Sequence, residues 1–187
     1  MLSSISSKFL NWEKFRTNAV FLVLLIMTML GFQWAEAYLS QVAGTTTKPL
    51  DLEFFFTAER AYQLIATYNE AVRNFYVPFE LTADIIYPTL YGTYLALLIS
   101  FLLKINFQNI DNQSVKVLNL LPLGASIFDF LENIGITILV SNYQTRLDTL
   151  ATLTGLMGGI KWIFAILSLL TLLILFVRWI LKRLLSF

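Results

Sequence analysis

Six consecutive residues, Phe128, Asp129, Phe130, Leu131, Glu132 and Asn133, set two carboxyls and an amide inside an otherwise apolar run. Asp129, Glu132 and Asn133 stand at i, i+3 and i+4, so on a helix their side chains converge about one turn apart. Two carboxyls this close in an apolar setting call for a nearby cation. Lys161, in the next apolar run, is the obvious counter-charge. Asp84, Tyr87, Tyr91 and Tyr94, in the preceding run, share one helical face at 3.6 residues per turn. Carboxyls, phenols, an amide and an ammonium so grouped can carry a proton, pair with a cation or hold a polar headgroup.

What is missing narrows this further. There is no Cys and no His. Thiolate chemistry, disulfides, the usual haem ligand and the commonest general base are excluded. No phosphate-cradling Gly-rich loop and no metal-ligand motif is present, so neither a cofactor nor a metal is expected. No basic patch with interleaved aromatics points to nucleic acid.

The elements that position these groups are apolar helices. Hydrophobic residues make up 57% of the 187 and charged residues only 13%, against about 25% charged in a soluble domain. Crossing the hydrocarbon core takes about 20 mostly apolar residues. Four segments qualify, at residues 19–35, 82–103, 117–140 and 154–181. The expectation is an all-α integral membrane four-helix bundle in a single domain. The first segment, with basic Lys8, Lys14 and Arg16 before it and Ala35-Glu36-Ala37 after it, also has the outline of a cleavable signal peptide. It is taken here as a genuine span.

Lys and Arg set the orientation. With the N-terminus inside, the inner segments hold Lys8, Lys14, Arg16, Lys104, Lys116, Arg178, Lys182 and Arg183, and the outer ones Lys48, Arg60, Arg73 and Arg146. Both termini are therefore expected in the cytoplasm, in a plasma or inner membrane. The outer stretch from 44 to 49 reads as loop. Residues 57–76 read as an extracytoplasmic amphipathic helix capped by Thr57 and ended by Pro78, with Ala61, Leu64, Ile65, Tyr68, Val72 and Phe75 on its apolar face.

The spans also order the polar residues by face. Asn119, Pro122, Ser126, Asp129 and Asn133 share a face of the third, with Glu132 and Thr137 at its margins. Thr154, Gly158, Lys161, Ala165 and Ser168 share a face of the fourth, beside the small pair Gly155 and Gly159. Pro88 is expected to free a backbone carbonyl and kink the second span near Asp84. Glu132 and Lys161 lie about 12 Å and 10 Å from the outer ends of their helices at 1.5 Å per residue. The expectation is one cavity in the outer half of the bilayer lined by Asp84, Tyr87, Tyr91, Asp129, Glu132, Asn133 and Lys161. Arg60, Tyr68, Arg73 and Tyr76 of the surface helix would form its lid.

Each feature also has a plainer role. The acid cluster could fix helix register, the tyrosines anchor at the interface, the two arginines face water, and the basic C-terminus anchor to headgroups. Three acids, a lysine and an amide exceed what register needs, and ionisable groups within a membrane are functional candidates by default. The stretch from Arg60 to Gly92 and the Phe128–Asn133 motif resemble small four-helix polytopic membrane proteins of an uncharacterised family, and the resemblance implies no activity. Three function classes follow. The first is a non-catalytic binding, sensing or assembly subunit for a lipid headgroup, cation or small polar molecule. The second is an ion- or proton-conducting oligomer. The third is an intramembrane lipid-modifying enzyme using a carboxylate pair. Membrane lipids are the expected partners, together with self-association or another membrane subunit.

Overall fold

The computed structural model describes residues 1–43, 48–107, 110 and 112–185; these are mostly helical, with no strand among them. Residues 44–47 of the expected outer loop lie outside the described residues; Lys48 and Pro49 are non-helical. Four helices are long and apolar enough to cross a membrane: α2 (Phe15–Ala43), α5 (Ala83–Asn106), α7 (Leu121–Ser141, led by the short helix α6 at Gln113–Lys116 and a 3-10 turn at Val117–Leu120) and α8 (Asp148–Leu184). This is the helix content of a multi-pass membrane protein. All four run past the segments read from hydropathy at one or both ends, α2 and α8 most of all. Hydropathy marks only the apolar stretch, whereas backbone hydrogen bonding continues through flanking polar residues. In α8, Asp148 in the first turn and Lys182 and Arg183 in the last turn complement the helix dipole.

The surfaces of these helices fit lipid as solvent. Val20, Val23, Met27 and Leu30 on α2, and Ile163, Leu169, Leu173 and Ile174 on α8, are each more than half exposed. Apolar faces of that extent are not left against water. The most apolar stretch of α2 has no buried residue, so this helix is peripheral to the bundle.

Two elements differ from the sequence expectation. The amphipathic segment is two helices, α3 (Ala58–Ile65) and α4 (Glu70–Glu80), rather than one over 57–76. Thr57 caps the first as expected, its Oγ1 accepting from the Arg60 amide at 3.3 Å. Asn69 starts the second by accepting from the Val72 amide at 2.9 Å. An Asn side chain that serves as an N-cap is what breaks the helix. Pro78 does not end it but lies inside α4, which runs on to Glu80. The other difference is an additional N-terminal helix, α1 (Leu2–Trp12), which sits across the end of the bundle opposite α3 and α4. Ser6 on α1 donates to the Lys116 carbonyl at 2.7 Å, and Glu13 just after it pairs with Lys104 at 3.0 Å.

Two apolar clusters bracket the middle of the bundle. One joins α3, α4 and residues 50–56 to the adjacent ends of α7 and α8, through Leu50, Phe56, Ile65, Tyr68, Val72, Ile136 and Ala151. The other joins α1 to α5 and α8 through Leu10, Ile99, Leu102, Leu103 and Leu175. The polar residues lie between them.

Candidate functional site

The site begins with a proline. Pro88 has no amide hydrogen, so the Asp84 carbonyl one turn earlier loses its helical donor. Asn133 of α7 supplies the replacement, its Nδ2 donating to the Asp84 carbonyl at 2.8 Å. One turn along, Ser126 donates to the Pro88 carbonyl at 2.7 Å. These two bonds fix the register of α5 against α7 and bring Asp84 beside the Asp129 face.

Glycine fixes the third wall. A Cβ at Gly158 of α8 would collide with the Glu132 carboxyl, and one at Gly155 with the Phe56 backbone carbonyl. The bare helix surface therefore admits Glu132 on one side and the chain at residues 50–56 on the other.

Lys161 stands at the centre. Its Nζ lies 2.5 Å from Glu132 Oε2 and 3.5 Å from Asp129 Oδ1, and donates to the Asp51 carbonyl at 3.1 Å. Tyr91 donates to Asp129 Oδ2 at 2.9 Å. The group is closed off: Glu132 is 0% exposed, Asp84 5%, Asp129 6% and Lys161 7%. Glu132, placed at the margin of its face by helical spacing, is the most deeply buried of them. Asn133 is spent on a backbone carbonyl. Tyr87 stands further out, its ring 5.1 Å from that of Tyr91 and 5.2 Å from Phe32 of α2.

Two acids join the cluster that the sequence did not mark. Asp51 belongs to a 3-10 turn at Leu50–Leu52, which lies over the site. The Tyr76 hydroxyl ties this turn down, donating to Asp51 Oδ1 and accepting from the Leu50 amide, both at 3.1 Å. Glu80, 2% exposed, ends α4 and reaches Tyr76 and Asp84. Burial, then Asp51 and Asp84, raise the Glu80 carboxyl well above its usual range, which favours its protonated form as a donor to Asp84. Burial and Asp51 likewise hold the Tyr76 and Tyr68 phenols above their usual range, as neutral donors. Asp51 was hidden because it sits in irregular chain. Glu80 was hidden because Pro78 was read as the end of the helix.

The four lid residues divide. Tyr68 stacks on Tyr76 at 5.4 Å and donates to the Lys48 carbonyl at 2.9 Å. Arg60 is exposed and pairs with Glu53 at 2.8 Å, and with Lys48 it holds that carboxyl below its usual range. Arg73 donates to the Tyr68 carbonyl and lies 3.8 Å over the Tyr143 ring. The tyrosines thus face the cluster, while Arg60 and Arg73 stand outside it.

Five carboxyls, Asp51, Glu80, Asp84, Asp129 and Glu132, therefore belong to one cluster whose ammonium pairs with Asp129 and Glu132. Glu132 Oε1 and Glu80 Oε2 are buried with no hydrogen-bond partner among the described residues. Among the described residues, no group of three or more acidic side chains is arranged to hold a metal ion. Towards the other end, Asn119 donates to Ser100 Oγ at 2.8 Å and to the Ser6 carbonyl at 3.1 Å. Compared with known proteins, the chain matches no family model, no curated protein and no solved structure.

Proposed function

We propose that this chain is a non-catalytic membrane subunit whose acidic site binds a small cationic group, for sensing or assembly. The supporting observation is the excess of acid over base: four buried carboxyls and the partly buried Asp51 beside one lysine, with no hydrogen-bond donor to Glu132 Oε1 among the described residues. A buried polar atom without a partner is a costly arrangement and a place where an arriving donor gains most. On this reading the termini are cytoplasmic, the site lies in the outer half of a plasma or inner membrane, and the Leu50–Leu52 turn with α3 and α4 is its lid. Membrane lipids surround it, and self-association or a second subunit would read out the occupied state.

Equilibrium binding in lipid nanodiscs tests this, with sodium, magnesium, methylammonium and tetramethylammonium as probes. At least one probe should saturate, and Glu132→Gln should weaken it tenfold or more while exposed Glu36→Gln leaves it unchanged. If no probe saturates, or if Glu132→Gln binds like the native protein, the proposal fails. Proton conduction is the second reading, favoured by the Asn119–Ser100 and Asn119–Ser6 contacts that carry polar groups toward the other end. It requires Glu132-dependent proton flux in liposomes.

A further inference from the structure

The cluster is covered from the lid side, which leaves the membrane side as the other approach. There α2 stands off from the corner between α4 and α5, leaving a groove of about 520 Å³ lined by Thr28, Gly31, Phe32, Phe75, Phe79 and Ile86. That volume lies within the range of small-molecule pockets. Trp34 and Tyr38 stack beside it at 5.8 Å, both exposed, as aromatic pairs do at the level of lipid headgroups.

Three observations point to one kind of occupant. A Cβ built at Gly31 meets no atom within 4 Å. Glycine inside a helix costs about 1 kcal/mol relative to alanine, and no neighbour in the chain requires it here; what its bareness preserves is the open groove. Next, a run of edge-on and tilted rings joins the wall of the groove to the cluster. Phe79 lies 5.0 Å from Phe32, Phe32 5.2 Å from Tyr87 and Tyr87 5.1 Å from Tyr91, whose hydroxyl rests on Asp129. Aromatic faces attract ammonium groups. Finally, the buried Glu132 Oε1 at the far end has no donor. An apolar groove, a run of aromatic rings and an acidic end fit a cation on a hydrocarbon chain, and carboxyls repel a phosphate.

We propose that this groove admits a long-chain amine from the bilayer, its chain lying along Gly31 and its ammonium passing Phe32, Tyr87 and Tyr91 to reach Asp129 and Glu132. This deepens the cation-binding reading and rests on it.

The test uses the full chain in nanodiscs with hexadecylamine carrying a photoreactive diazirine in mid-chain, and the matching hexadecanol as a neutral control. The amine should label residues 28–35 and 75–86 preferentially. Gly31→Leu, which fits open space, should cut that labelling at least fivefold, and Glu132→Gln should do the same. Ethylamine, which has no chain to place in the groove, should bind Gly31→Leu as it binds the native protein. Equal labelling by the alcohol, label spread over the lipid faces of α5 and α8, insensitivity to Gly31→Leu, or a groove occupied by a second copy of the chain would each overturn the groove route. Glu132-dependent ethylamine binding alongside such a result would leave the cation site standing. Loss of ethylamine binding in the native protein would remove both.

Discussion

Replacing Lys161 by Met keeps most of the side-chain volume and removes the only ammonium in the cluster. At an effective dielectric of 20, a unit charge 2.5 Å from Glu132 and 3.5 Å from Asp129 gains about 7 and about 5 kcal/mol. Taking the ions out of water cancels much of this. Removing one partner of a buried pair typically costs about 3–5 kcal/mol, because the other charge is left stranded. Two stranded carboxyls and the freed Asp51 carbonyl place Lys161→Met in that range. For a chain of this size the midpoint should fall by roughly 6–20 °C. The assay is reversible unfolding in mixed micelles, followed by circular dichroism, on Lys161→Met, Glu132→Gln and the double variant. The double variant should recover at least about 1.5 kcal/mol relative to the sum of the singles, since coupled neighbours depart from additivity by that order. A Lys161→Met protein within about 1 kcal/mol of native, or strictly additive singles, would refute the central ion cluster.

Two further outcomes follow from the same geometry. Gly155→Ala should cost about 1–3 kcal/mol and expose residues 50–56 to protease, because its methyl meets the Phe56 backbone; Gly159→Ala, whose Cβ would come no nearer than 3.7 Å to any atom, should be neutral or slightly stabilising in the same unfolding assay. The Glu80 carboxyl is raised in the folded state, so the folded chain holds a proton that the unfolded chain has released. Its stabilising contribution is complete below the unfolded value of about 4.5 and falls as pH rises toward the folded one, by at most about 1.4 kcal/mol per pH unit. Glu80→Gln should flatten that slope in an unfolding series from pH 4 to 9; an unchanged slope would show that Glu80 is not the group responsible.

The spans and the polar faces were legible in the sequence because each rests on a short-range period. Asp129, Asn133, Ser126 and Lys161 fall on the buried face that helical spacing assigns them. The carbonyl that Pro88 frees belongs to Asp84, and the chain repairs it from across the interface, with Asn133. What could not be read was set by chain with no period. Asp51 reaches Lys161 through a backbone carbonyl, which no side-chain pattern reports. Glu80 lies beyond a proline that the helix tolerates, and α1 has too few residues to stand out as a span. Arg60 and Arg73, assigned to the lid by their position on it, are held outside by Glu53 and Tyr143, partners that lie elsewhere in the chain.

The bracketing of the polar section has a consequence for how the site must work. The α3–α4 cluster and the α1 cluster bracket the bundle at its two ends with apolar side chains, and Asn119, Ser100 and Ser6 are polar groups at the α1 end. Asp51 accepts from both Lys161 and Tyr76, through its carbonyl and its carboxyl. A cation reaching Glu132 would compete with Lys161, and a displaced Lys161 would release its hold on the turn at Leu50–Leu52. Occupancy of the cluster would then be coupled to the position of the Leu50–Leu52 turn, because one residue, Asp51, belongs to both. A coupling of this kind needs a ligand that favours one lid position over the other, and Lys161, as the single cation shared by the bundle and the lid, is where that preference would be set.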